Sequence, residues 1–153
     1  MPHDIKDMLR QAVVHGGAGI RIIDGPFIYL DKNYVRILGG LREALEAVAP
    51  IEGSTVIQIR GETGPIAQEA IEAATAGAAV IMIDTGRIDD LTKVASALRE
   101  EGLRSKVQIA FAGNISLDDI PALSKLDVDV LDIGYAILDA PCLPIRFDVT
   151  QVH

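Results

Sequence analysis

Asp84 stands directly after the apolar run Ala79 to Ile83 and just before Thr85-Gly86. A carboxylate in that place can hold a sugar hydroxyl or a metal-bound ligand. It can equally cap the next helix or close a turn. Ala112-Gly113-Asn114 follows the run Val107 to Phe111, and Gly134 follows Val128 to Ile133. Glycines ending successive strands let a ligand approach the backbone, so that amides could cradle a phosphate, although glycine is also an ordinary turn residue there. Arg21 and Arg60 are the basic residues best placed to meet an anion, and either could instead pair with a surface acid. Gly16-Gly17-Ala18-Gly19 looks like a phosphate loop, but no lysine follows it and a helical segment precedes it. Its expected role is to end that helix and turn the chain.

These residues need elements to position them. Runs rich in β-branched residues cover Ile20 to Ile23, Phe27 to Leu30, Thr55 to Ile59, Ala79 to Ile83, Val107 to Phe111, Val128 to Ile133 and Ile145 to Val149. Helical spacing separates several of them. Leu41, Leu45 and Val48 mark one helix. Ile66, Ala70, Ala73 and Ala74 mark another, with Pro65 near its start. Leu91, Val94, Ala95 and Leu98 mark a third, which Gly102 should stop. Ser116 opens Ser-Leu-Asp-Asp, a plausible cap for a fourth, with Pro121 close behind. Strands joined by crossover helices are parallel. The pattern therefore allows an open doubly wound sheet or a barrel, and in both the ligand site lies at the carboxyl ends of the strands. That rule points to Asp31, Arg60, Asp84, Gly113 and Gly134.

Composition excludes several classes. The 153 residues suit one domain. The chain is 49% hydrophobic and only 4% aromatic, so its core must be aliphatic, as in parallel sheets covered by helices. A net charge of −8 with scattered basic residues speaks against nucleic acid. No apolar run approaches the length of a membrane span, and the chain opens without a secretory signal, so the expectation is a cytoplasmic protein without membrane association. The single cysteine, Cys142, allows no internal disulfide. His3, His15 and His153 lack close ligand partners, so neither a metal site nor another cofactor is expected.

Four stretches, in order, resemble the barrel domain of quinolinate phosphoribosyltransferase (nicotinate-nucleotide pyrophosphorylase). Gly16 to Tyr34 is similar to the family's Gly-Gly-Gly, His-Arg and Lys-Asp/Glu-Asn-His stretch. Ala73 to Thr85 is similar to its Glu-Ala-Gly-Ala-Asp-Ile-Ile-Met-Leu-Asp-Asn strand. Ala112 to Asp118 resembles its Ser-Gly-Gly-Ile-Thr turn, and Asp129 to Pro141 its Val-Asp-Tyr-Ile-Ser-Val-Gly segment. The resemblance covers residues 8 to 150 and implies an incomplete α/β barrel of parallel strands with crossover helices, as one domain over residues 1–153.

The site transfers poorly. In the family, many cations grip substrate carboxylates and phosphoribosyl pyrophosphate. The resemblance places the family's Thr-Arg-Lys-Thr motif and amino-terminal domain before Met1. Arg21 keeps the arginine of the His-Arg pair while Ile20 replaces the histidine. Asp31 takes the place of the lysine, with Lys32 beside it. Arg60 falls at an acidic position, with Glu62 as the alternative. Ala112 stands where a phosphate-binding serine is usual, and Leu138 where a histidine contacts phosphate. Arg21, Asn33, Asp84, Gly113 and Gly134 survive, and with Arg60 they form the candidate ligand site. Losing one cation typically weakens such binding by on the order of a few kcal/mol, so losing most should abolish the parent reaction.

Two readings follow. In the first, the domain is a degenerate barrel that binds a small anionic or phosphorylated ligand, or a protein partner, at its mouth. In the second, it is a transferase of altered substrate, or the barrel half of a split enzyme completed by a separate partner chain. An exposed barrel rim further predicts a homo-oligomer, with Phe27, Tyr29, Tyr34 or Leu138 among the contacts.

Overall fold

Parallel pairing organises the chain. In the computed structural model, which describes residues 3–134 and residue 137, the strands β1 (Phe27–Leu30), β2 (Ser54–Ile59), β3 (Val80–Asp84), β4 (Gln108–Ala112) and β5 (Val130–Leu131) lie side by side in sequence order. Every neighbouring pair is parallel. The connections carry α2 (Lys32–Leu38), α3 (Leu41–Val48), α4 (Ile66–Thr75), α5 (Ile88–Glu100) and the short α6 (Ile120–Leu123), while α1 (His3–His15) precedes the sheet.

The period of two along each strand divides the apolar residues into two sets. Ile57, Ile59, Ile81, Ile83, Ile109 and Phe111 face one way and form the main core with Leu41, Leu45, Ala70, Ala73, Leu91, Val94 and Leu98 of the helices. Val56, Val80, Met82, Ala110 and Ala112 face the other way and form a smaller cluster with Ile22, Ile23, Phe27 and Val130. Helices α3, α4 and α5 thus cover one face only, and the strand order never reverses. A doubly wound sheet needs helices on both faces and a reversal of order, so the architecture is an α/β barrel, open among the described residues. The small side chains of Ala110 and Ala112 suit the crowded inner face of such a barrel.

The predicted helices are present. α5 ends at a Schellman turn in which Gly102 takes φ +66°, and the Leu103 N–H returns to the Leu98 carbonyl at 2.7 Å. Gly17 ends α1 in the same way at φ +82°, the role expected of the glycine run. Ser116 and Asp119 form a reciprocal capping box at the start of a 3-10 turn (Leu117–Asp119) leading into α6. Asp31 caps α2, accepting from the backbone N–H groups of Asn33 (2.8 Å) and Tyr34 (3.0 Å).

One expected strand is absent. Residues 20–26 form a series of bends rather than a strand. Ile22 and Ile23 still bury against the inner cluster, so their apolar character serves packing without a hydrogen-bonded ladder. Arg21 therefore sits on a bend and not at a strand end. The predicted strand Ile145 to Val149, together with Leu138, Cys142 and His153, lies outside the described residues.

Candidate functional site at the barrel mouth

The alternation that places Val56, Val80 and Ala110 inside the barrel continues to the carboxyl ends of the strands. There it delivers polar groups: Tyr29 on β1, Gln58 on β2, Asp84 on β3 and Asp132 just beyond β5. Asp132 is held in line by its backbone N–H, which donates to the Phe111 carbonyl at 2.9 Å.

Gln58 links two of these strand ends. Its Oε1 accepts the Lys32 N–H at 2.9 Å, which leaves Nε2 to donate to Asp84 Oδ2 at 2.5 Å. Arg60 continues the inward alternation of β2, and its Nη1 donates to the same Asp84 oxygen at 2.6 Å. Arg60 Nε also lies 3.7 Å from Glu62, whose carboxylate is taken by Arg36 at 2.7 Å. The result is a chain of alternating charge, Asp84–Arg60–Glu62–Arg36, in which each cation already has a counter-ion.

Glu69 supports this chain from below. Although only 3% exposed, it accepts from the backbone N–H groups of Arg60 (3.2 Å), Gly61 (2.7 Å) and Thr63 (2.7 Å) and from the Thr63 hydroxyl (2.7 Å). Four donors satisfy the buried carboxylate, and in return they fix the loop that aims Arg60. Its signal in the sequence is an acid within the apolar stripe of Ile66, Ala70 and Ala73.

Across the mouth, Asp84, Gly113, Asn114, Asp132 and Gly134 line a cavity of about 250 Å³. Gly113 has a packing role: at φ +114° it lies against Gly86, and a β carbon there would run into the Gly86 backbone. The Gly86 N–H donates to the Ala112 carbonyl at 3.0 Å, which ties the two turns together. The Gly134 amide donates to Asp132 Oδ1 at 3.3 Å.

Arg21 lines a neighbouring cleft of about 600 Å³, together with Arg10, Phe27, Tyr29, Met82 and Asp132. Burial, with the charges of Asp84, Asp132 and Asp31, pushes the Tyr29 hydroxyl up to about 12. It therefore stays protonated at neutral pH. Asn33 is exposed on α2, donates to Asp31 at 3.4 Å and lines none of these cavities. The mouth thus gathers Asp84, Gly113 and Gly134 directly, places Arg60 on its α2 side and Arg21 on its α1 side, and leaves Asn33 outside. Asp132 escaped the sequence reading, although its inward phase with Val130 is legible in the run Val128 to Ile133. Among the described residues, no group of three or more His, Cys, Asp or Glu side chains is arranged to hold a metal ion. No helix among them is long and apolar enough to cross a membrane.

A parallel α/β barrel with its polar groups gathered at the carboxyl ends of the strands has its candidate site where α/β barrels carry theirs. The model of the family described as "Quinolinate phosphoribosyl transferase, C-terminal domain" matches residues 4–148, and the chain belongs to that family. It is 29% identical over 138 residues to the probable nicotinate-nucleotide pyrophosphorylase (carboxylating) of Archaeoglobus fulgidus, covering 90% of this chain and 52% of that one. It is 28% identical over 131 residues to the human nicotinate-nucleotide pyrophosphorylase (carboxylating), covering 86% and 43%. The chain therefore spans about half the length of the curated relatives it matches. A crystallised NadC deletion mutant superposes with a TM-score of 0.75 at 22% identity, over 94% of this chain and 49% of that one. The nicotinate-nucleotide pyrophosphorylase from Francisella tularensis superposes with a TM-score of 0.65 at 25% identity, over 82% and 42%.

Proposed function

We propose that this domain uses the family's barrel as a scaffold, has lost the transfer of a phosphoribosyl group, and binds at its mouth a small ligand with one anionic group. The observation that carries this reading is the 2.6 Å pair between Arg60 and Asp84. A site for a dicarboxylate and a pyrophosphate needs surplus positive charge at the strand ends, and here the strand-end arginine is neutralised by its neighbour. Arg21 makes no ion pair among the described residues, and of the two arginines singled out to meet an anion it is the one left to take it.

Two measurements test the proposal. Purified chain incubated with quinolinate and phosphoribosyl pyrophosphate should form no nicotinate mononucleotide, and turnover free of contaminating enzyme would refute the loss of activity. Calorimetry with inorganic phosphate and small carboxylates should detect binding that Arg21→Ala weakens by about 1 to 3 kcal/mol, the worth of a charge-assisted hydrogen bond. Unchanged affinity in a folded variant removes Arg21 from the site.

The exposed apolar stripe on α2 supports a second element, self-association. Tyr34 (55% exposed), Ile37 (77%) and Leu38 lie at i, i+3, i+4 on one side of that helix. Covering them in a homo-oligomer removes apolar surface that a monomer would leave in water.

A further inference from the structure

We infer that the ligand of this mouth is a small zwitterion with an apolar body, of the amino-acid class, held by Arg21 through its carboxylate and by Asp132 through its ammonium. The inference rests on the proposed anion-binding role of Arg21 and specifies the chemistry around it. Arg21 and Asp132 line the same two adjoining clefts, of about 600 and 450 Å³, yet neither makes an ion pair within the described residues. Two opposite charges that face one cleft without closing on each other leave room for a molecule that carries both.

Two other cations border these clefts. Arg10 at the same rim lies 3.7 Å from Asp7, its own counter-ion. Lys6 reaches only the smaller of the two clefts. The Asp132 carboxylate accepts the Gly134 N–H through Oδ1 alone, among the described residues, and so keeps acceptor capacity on Oδ2. A simple anion at Arg21 would face Asp132 in the same cleft, beside the Tyr29 hydroxyl that burial, with the charges of Asp84, Asp132 and Asp31, already raises. A simple cation at Asp132 would face Arg21. A zwitterion pairs with both partners at once, so that each of its charges, costly to take out of water alone, meets an opposite charge in the cleft. Ile20, Ile22, Phe27 and Met82 provide the apolar wall for its side chain, and the neutral Tyr29 hydroxyl can donate to a carboxylate or accept from an ammonium.

Calorimetry of the purified chain tests this, using the protein amino acids one at a time and then two analogues of whichever binds best, the amine lacking its carboxylate and the acid lacking its ammonium. The expected result is binding of an apolar amino acid, with each analogue weaker by at least about tenfold, the ratio that losing one charge-assisted hydrogen bond produces. Asp132→Asn should cost the amino acid a similar factor while leaving the deaminated acid unaffected or improved. If the deaminated acid binds as well as its parent, the zwitterion is overturned and the anion-binding mouth stands. If no amino acid binds, the zwitterion is overturned whatever phosphate does. If Arg21→Ala leaves the binding of amino acid and acid unchanged, both readings fall.

Discussion

Arg60 and Asp84 meet at 2.6 Å across the carboxyl ends of neighbouring strands, and Gln58 donates to the same carboxylate oxygen. Asp84 is the aspartate of the family-like strand, and its charge here is used to hold an arginine. Replacing it tests whether that arginine is restrained. Asp84→Asn should release the Arg60 guanidinium and raise the affinity of the mouth for inorganic pyrophosphate by about 1 kcal/mol, a value kept small because both groups are partly exposed. Titration of both proteins with pyrophosphate measures the difference, and equal affinities would show that Arg60 is not held in reserve.

Glu69 should matter for stability more than any exposed acid. Glu69→Ala leaves three loop N–H groups and the Thr63 hydroxyl without their acceptor. It should cost about 2 to 4 kcal/mol, in the range of a lost buried hydrogen-bond network. Glu69→Gln keeps one acceptor oxygen and should cost less. Urea unfolding of the three proteins ranks them. A Glu69→Ala protein as stable as the parent would mean that water replaces the carboxylate at no cost.

Two glycines separate strain from crowding. Gly77 and Gly113 both take positive φ, +95° and +114°, but the space around the Gly77 α carbon is open while Gly113 lies against Gly86. Gly77→Ala should cost about 1 kcal/mol, the penalty for a left-handed residue with a side chain. Gly113→Ala should cost clearly more, because the turn must also move away from the Gly86 backbone. Thermal unfolding of the two variants shows the order, and equal losses would mean that the two turns yield readily.

Self-association can be tested at α2. Light scattering at micromolar concentration should give a mass of at least two chains of 16.3 kDa. Ile37→Asp, which places a charge in the exposed stripe, should shift the population toward monomer without unfolding it. A parent protein that stays near one chain mass on concentration rules the oligomer out. An oligomer indifferent to Ile37→Asp moves the interface elsewhere, with Tyr29 the next residue to test. Phe27 is half buried and packs on the inner cluster, which makes it a weaker contact residue than Tyr29 or Tyr34.

The sequence by itself determined the features that depend on neighbouring residues. Ser116 and Asp119 bond to each other across three positions, Gly102 supplies its own positive φ, and the apolar period of α3, α4 and α5 follows from one helix face meeting a core. The strand runs from Phe27 to Leu131 were legible for the same reason, since a fully buried parallel strand needs a continuous apolar stretch. Resemblance then chose the barrel, which alternation alone left open. Tertiary structure decided whatever needed partners far apart in the chain. Ile20 to Ile23 has strand-forming residues, but a strand exists only where another strand takes its hydrogen bonds, and here the segment bends. Gln58 and Asp84 lie 26 residues apart, Arg60 and Asp84 lie 24 apart, and only the parallel register of β2 on β3 brings them into contact. The close contact of Gly113 with Gly86 was likewise not legible, because the clearance around a backbone is set by the turn packed against it and not by the residue's own neighbours.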